Sequence, residues 1–137
     1  MLHRHFIPSN KKGVQRPPLI HYGYIAEEEF LFAYARHRGL LHECDGNYEG
    51  EIMLLKLDTM YAAMKAILAE LKISSIRLHL PHVVGIGGST RIIALYSNYS
   101  MNKIPPAEDV EKLVQFLGKE QEQPKWYFDA TRWKWNF

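Results

Sequence analysis

The hydrophobic residues change from a helical to a strand-like period between Asp58 and Ser97, and this change constrains the fold more than any other feature. In the first part they recur every three or four residues, the spacing of a helix with one broad buried face. They are Met60, Met64, Ile67 and Leu71, with Tyr61 and Leu68 beside them. From Ile76 they alternate instead, with Ile76, Leu78 and Leu80 on one side and Arg77 and His79 on the other. A core helix followed by a half-buried strand is therefore predicted.

A glycine-rich loop is predicted after this strand, from Pro81 to Ser89, followed by a second strand from Thr90 to Ser97. The second strand is apolar on both faces, which is typical of a central strand covered on both sides. A short strand is also predicted earlier in the chain, at Leu19 to Tyr24.

Two further helices are indicated by their charges, spacing and end residues. The first runs from Ala26 to Arg38, with acids in its first turn, bases in its last turn and Gly39 as its cap. Its predicted buried stripe is Phe30, Ala33, Tyr34 and His37. The other helix follows Pro105 and Pro106, buries Val110, Leu113, Val114 and Leu117, and ends at Gly118.

Residues 51–57 fit two interpretations. Met53 and Leu57 extend the spacing of the core helix, so one helix of about 22 residues is one of them. Asp58 and Thr59 are good helix-capping residues, so a strand ending near Leu57 is the other, and we favour the strand.

The C-terminal tail has a two-faced strand pattern, because Trp133, Trp135 and Phe137 alternate with Arg132, Lys134 and Asn136. With about three helices and three to five strands that do not alternate strictly, the predicted class is α+β. We expect a small, mainly antiparallel sheet with the helices packed on one face.

Composition indicates one globular domain, with 47% hydrophobic and 23% charged residues in 137. Residues 1–18 are predicted to form a mobile basic arm, or an arm that docks on the domain formed by residues 19–137. The apolar runs are too short for a membrane span. The start of the chain lacks a secretory signal, and a single cysteine, Cys44, allows no internal disulfide. Both observations favour the cytosol or nucleus, and we expect a cytoplasmic protein.

The glycine-rich loop is the first candidate site. Its backbone N–H groups, at Gly85, Gly87, Gly88, Ser89 and Thr90, could face an anion, and Arg91 would add a positive charge. The loop has neither the ending of a Walker A motif nor the following helix of a dinucleotide-binding motif. A plain hairpin connection is the simpler interpretation, and we favour it.

Two groups of histidines offer proton-transfer or metal chemistry. His79 and His82 lie beside the glycine-rich loop and are candidates for general acid and base. His37, His42, Cys44 and Asp45 form a second ligand-rich group. Neither group has a recognised metal-site spacing, so no metal site is predicted, and no motif identifies a cofactor.

Trp133 and Trp135 are candidates for ligand binding, because tryptophan rings stack on bases or sugars while the neighbouring cations meet phosphates. We favour an edge strand whose aromatic face completes the core. If the two rings were exposed together, they would form an apolar patch typical of a partner or dimer interface.

These features support three hypotheses, and whether the protein is an enzyme stays open. The first is a small ligand- or protein-binding module that forms a homodimer through its aromatic C-terminal strand. The alternative is an enzyme or sensor for a small anionic or phosphorylated ligand, held by the glycine-rich loop and Arg91, with His79 or His82 for proton transfer. Nucleic-acid binding by the basic arm and the tail is less favoured, since the net charge is only +2.

Overall fold

The computed structural model describes residues 2–9, 11–42, 49–85 and 88–135, without the side chains of residues 49–54, 88 and 89. Its helices are α1 (Glu28–His37), α2 (Glu49–Glu70) and α3 (Ala107–Phe116), with short 3₁₀ helices at Arg4–Phe6 and Met101–Lys103. Its strands are β1 (Ile20–Ile25), β2 (His82–Gly85), β3 (Gly88–Ser97) and β4 (Lys125–Phe128). The predicted α+β class is confirmed.

The four strands form one antiparallel sheet in the order β2-β3-β1-β4. The prediction that Thr90 to Ser97 is a central strand is confirmed, because β3 lies between β2 and β1. The sheet curls until the end of β4 meets β2: Asp129 forms a bridge with Val83, and the Ala130 N–H donates to the His82 carbonyl oxygen at 2.9 Å.

The main core lies between the three helices and one face of the sheet, and its buried residues include Leu31 of α1, Met64 and Ile67 of α2, Leu113 of α3 and Ile93 of β3. The predicted faces of α2 and α3 do pack on the core: Met60, Met64, Ile67, Leu113 and Leu117 are buried, and Leu71, Val110 and Val114 are half-buried against them. Burial of so many large apolar side chains is the main stabilising contribution to this fold.

The predicted stripe of α1 is wrong by about one position. Leu31 and Ala35 face the core, whereas Ala33 and His37 are exposed. Phe30 and Tyr34 lie at the rim, where both rings meet Phe116 of α3 edge-on, with centroids 6.3 and 5.8 Å away. The large aromatic residues therefore cover the edge of the core and leave its centre to smaller side chains.

Residues 51–57 belong to α2, so the favoured strand is wrong and the 22-residue helix is right. Thr59 does not cap a helix, because its buried hydroxyl accepts a hydrogen bond from the His42 N–H at 3.1 Å. The hydroxyl thus links α2 to the segment after α1, whereas the sequence pattern suggested that it would cap the start of a helix.

Residues 76–80 do not form the predicted strand, although Ile76 and Leu80 are buried as predicted. The carbonyl oxygens of His79 and Pro81 accept hydrogen bonds from β3, whereas the Leu80 N–H donates to the Tyr61 hydroxyl at 3.0 Å. Because none of the segment's N–H groups donates to β3, the regular pairing between β2 and β3 begins only at His82. The predicted loop thus contains β2 and the start of β3.

The tail strand is also wrong for the described residues 132–135, because the strand is Lys125–Phe128 instead. The Asp129 carboxylate accepts hydrogen bonds from the backbone N–H groups of Thr131 and Arg132, at 2.9 and 3.0 Å. Such an Asx turn redirects the chain and ends the strand. Phe137 lies outside the described residues.

The N-terminal segment contacts the domain at a buried amide. Asn98 donates from Nδ2 to the carbonyl oxygens of Phe6 and Pro18, at 2.8 and 2.9 Å, and accepts from the Ile20 N–H. The mobility of this arm stays a prediction. No helix in the described part of the chain is long and apolar enough to cross a bilayer.

Candidate functional site

The antiparallel pairing of β1 with β4 places a buried histidine beside a carboxylate. His21 of β1 is only 3% exposed, and its Nε2 lies 2.9 Å from Oδ2 of Asp129, the residue that follows β4. The other carboxylate oxygen accepts three hydrogen bonds, from the N–H and hydroxyl of Thr131 and the N–H of Arg132. Burial alone would raise the pKa of Asp129, but these hydrogen bonds and that from His21 lower it to about 2. Asp129 is therefore a carboxylate that fixes the imidazole of His21.

A second imidazole lies beside this pair. The rings of His21 and His79 meet edge-on with their centroids 5.4 Å apart. Partial desolvation of its ring lowers the pKa of His79, and the neighbouring His21 and Arg77 side chains lower it further. His79 is therefore neutral at pH 7 and able to accept a proton.

The two histidines line a cavity of about 440 Å³, which we call the anion cavity. Three cationic side chains also line it. They are Arg77, two residues before His79, Lys103 at the end of the second 3₁₀ helix, and Arg132 of the Asx turn. Its hydroxyl groups come from Ser75, Tyr96, Ser97, Tyr99 and Ser100, of which Ser75 donates to the Asp109 carboxylate and Tyr99 to the Pro17 carbonyl oxygen, each at 2.7 Å. Its apolar wall is formed by Leu19, Leu78, Ala94 and Leu95. Among the described residues, no carboxylate lines this cavity.

This lining suits an anion. Guanidinium and ammonium groups with hydroxyl donors are the groups that bind phosphate, sulfate and carboxylate. The chain in the described ranges brings together no group of three histidine, cysteine, aspartate or glutamate residues that could hold a metal ion.

No family model, curated protein or solved structure matches this chain.

Among the described residues, the structure brings one of the two predicted proton-transfer histidines to the anion cavity and neither Thr90 nor Arg91. His79 lines it, whereas His82, Thr90 and Arg91 lie outside its lining. His82 is paired with Arg91 across β2 and β3, and Arg91 donates from Nη1 to the Leu80 carbonyl oxygen at 2.6 Å. Partial burial and the charge of Arg91 lower the pKa of His82.

Two glycines of the predicted loop lie on the paired strands β2 and β3. Gly85 of β2 is paired with Gly88 of β3, and Ser89 with Val84. Gly87 and the side chain of Ser89 lie outside the described residues, as do Cys44 and Asp45 of the second ligand-rich group. Anion binding by this loop stays a prediction.

Trp133 and Trp135 do not complete the core, since they are 50% and 43% exposed. Together with Phe6, Pro18, Val84 and Phe128 they line an apolar depression of about 500 Å³, which we call the aromatic cluster. The expectation of an edge strand with a buried aromatic face is therefore wrong, and the alternative of an exposed apolar patch describes this surface.

The sequence analysis did not identify His21 and Asp129 as site residues. They are 108 positions apart, and no spacing rule connects them. The available signal was local: Asp129 precedes Thr131 in a turn-forming segment, and His21 occupies a strand position where apolar residues do not alternate cleanly.

Proposed function

We propose that the anion cavity binds a small anionic ligand that carries a phosphate, sulfate or carboxylate group. The observation that carries this proposal is the charge of the lining, with Arg77, Lys103 and Arg132 present and no carboxylate among the described lining residues. The whole chain is nearly balanced, with 17 lysines and arginines against 15 acids. The positive charge is thus local, and it would raise the local concentration of anions.

The imidazoles give this cavity a means of moving a proton. Neutral His79 would accept a proton from a bound ligand or from water, and the Asp129 carboxylate holds the neighbouring His21 ring in one orientation. An enzyme and a sensor both use such an arrangement, and ligand binding is the step that they share.

A thermal-shift titration of the full-length protein with sulfate, phosphate and pyrophosphate tests the proposal. A ligand present at 100 times its Kd adds about 2.7 kcal/mol to the free energy of unfolding, which is a readily measured rise in Tm. We expect the Arg77→Ala/Lys103→Ala variant to lose this rise.

The matched control is Arg36→Ala/Lys112→Ala, which removes one arginine and one lysine from exposed positions on α1 and α3. It should retain the rise. If no anion stabilises the wild type at millimolar concentration, or if both double variants respond as the wild type does, the proposal is wrong.

A second candidate function is self-association through the aromatic cluster. The observation that favours it is the exposure of several large apolar side chains in one place, since Val84, Phe128, Trp133 and Trp135 are each more than 40% exposed. Contiguous apolar surface of this kind marks interfaces with another protein chain. A homodimer is the simplest assembly that would cover it.

A further inference from the structure

A groove adjoins the anion cavity and differs from it in carrying exposed tryptophans. Its volume is about 460 Å³, and it is lined by Arg16 of the N-terminal segment and by Trp133, Lys134 and Trp135 of the tail. It shares Leu19, Tyr99 and Arg132 with the anion cavity, so the two form one continuous surface. We call the adjoining part the cation–tryptophan groove.

Two hydrogen bonds hold this groove together. The Leu19 N–H donates to the Arg132 carbonyl oxygen at 2.9 Å, and the Tyr99 hydroxyl donates to the Pro17 carbonyl oxygen at 2.7 Å. These two hydrogen bonds fasten the end of the arm to the tail and to the segment after β3. Arg16 is consequently kept on the same side as Arg132 and Lys134.

Cations and aromatic rings lie close to one another in the groove. The Lys134 ammonium is 4.9 Å from the ring centroid of Trp133, and the Arg132 guanidinium is 6.0 Å from that of Tyr99. Both distances are within the range of cation–π attraction. A ligand in this groove would meet positive charge and an aromatic ring at each step.

The two parts together present five cations, Arg16, Arg77, Lys103, Arg132 and Lys134, and no described lining residue is acidic. A single phosphate or sulfate needs only one part of this surface. A ligand that matches the charge of the whole surface would be an extended anion with several negative charges. The rings add a preference for an anion whose charged groups alternate with flat aromatic groups.

We infer that the ligand of this surface is a single-stranded nucleic acid, with one phosphate in the anion cavity and neighbouring bases against Tyr99 and Trp133. The inference rests on the proposed function at the cavity end and extends it to the groove. Single strands fit better than duplexes, because only unpaired bases expose a ring face to a side chain. A concave groove also fits a strand better than it fits a flat membrane surface.

Fluorescence anisotropy of the full-length protein with a labelled 12-nucleotide RNA and the same DNA sequence tests the inference and compares the two sugars. Affinity should fall about tenfold or more between about 50 and 200 mM salt, since bound cations displace counterions from the strand. Trp133→Ala should weaken binding about tenfold, the usual loss for one stacked base. A duplex of the same sequence and heparin, a polyanion without bases, should bind more weakly than the single strand.

Paired variants separate this inference from the proposed function. Arg16→Ala/Lys134→Ala should weaken oligonucleotide binding about tenfold while the sulfate titration stays unchanged, since neither residue lines the anion cavity. Arg77→Ala/Lys103→Ala should weaken both. Arg36→Ala/Lys112→Ala should change neither.

Three results would overturn the inference. Sulfate binding without oligonucleotide binding at 50 mM salt would leave the proposed function standing and remove the strand. Equal affinity for heparin and the single strand, unchanged in Trp133→Ala, would show attraction to any polyanion. Binding to vesicles with anionic lipid, in the absence of oligonucleotide binding, would assign the surface to a membrane.

Discussion

The two oxygens of the Asp129 carboxylate make different contacts. One accepts the hydrogen bonds of the turn that ends β4, and the other contacts His21. A carboxylate whose folded pKa is below its unfolded value stabilises the fold above the unfolded pKa. This contribution is lost as the pH falls through the folded pKa. For Asp129 the pKa falls from 3.8 to about 2, so the contribution is complete above about pH 4 and lost towards pH 2. Its size is about 2 kcal/mol.

We therefore expect Asp129→Asn to lower the free energy of unfolding by about 2 kcal/mol at pH 7, while the difference from wild type shrinks as the pH falls from 4 to 2. Urea denaturation across this pH range measures both effects. Asp58→Asn, at an exposed position of α2, is the control and should change stability by less than about 0.5 kcal/mol. A difference that does not change with pH would show that ionisation of the Asp129 carboxylate contributes nothing to stability.

His79 should give anion binding a pH dependence of its own. Its lowered pKa means that its positive charge appears only when the pH falls below the ordinary value of 6.5. Sulfate keeps a constant charge over this range, so its affinity should rise about threefold as His79 becomes charged, the effect of one additional partly exposed cation. Isothermal titration at pH 5 to 8 measures it.

The His79→Gln variant should remove most of this rise, whereas His37→Gln, at an exposed position of α1, should keep it. An unchanged pH profile in His79→Gln would assign the titration to another group and exclude His79 from the site.

Among the elements, β1 carries the most demanding position, because its register with β3 shifts between Tyr22 and Gly23. The irregularity brings the two backbones so close that a Cβ atom at residue 23 would overlap the carbonyl oxygen of Ile93. Gly23→Ala should therefore lower the free energy of unfolding by about 2 kcal/mol or more, as forced backbone shifts do. Gly13→Ala, with open space around the added methyl group, should cost about 1 kcal/mol, mainly through its positive φ. Similar losses in thermal unfolding would contradict the close approach.

The accuracy of the sequence predictions also differs by element, and hydrogen bonds explain the difference. The buried faces of α2 and α3 and the central β3 followed from the spacing of apolar residues, because burial dictates that spacing. The buried stripe of α1 was displaced by about one position, but the errors in strands and helix bounds occurred where a side chain forms a hydrogen bond with a backbone group: Tyr61 with Leu80, Thr59 with His42 and Asp129 with Arg132. Apolar periodicity contains no information about such tertiary hydrogen bonds.

For the whole molecule, the anion cavity combines residues from β1 and β3, from the segment before β2, from the segment after β3 and from the turn after β4. The sequence could propose His79 as a site residue, since it lies on the polar side of a visible alternation. It could not propose His21 and Asp129 as a pair, because their contact depends on the pairing of β1 with β4, two strands that lie about 100 residues apart in the chain. The site is a consequence of topology, and topology follows from the packing of the complete chain.

The aromatic cluster leads to a prediction about assembly that is independent of the anion cavity. Val84 is 50% exposed on β2, so a charge at this position costs an isolated monomer little, whereas an interface would bury that charge without a partner. If the cluster is a dimer interface, Val84→Lys should turn the dimer into a monomer. Val14→Lys changes the same residue type at 43% exposure outside the cluster, so it should stay a dimer. Sedimentation velocity of the full-length proteins from about 5 to 200 µM distinguishes the two states. A wild-type monomer over this whole range would show that the cluster is not a surface for self-association.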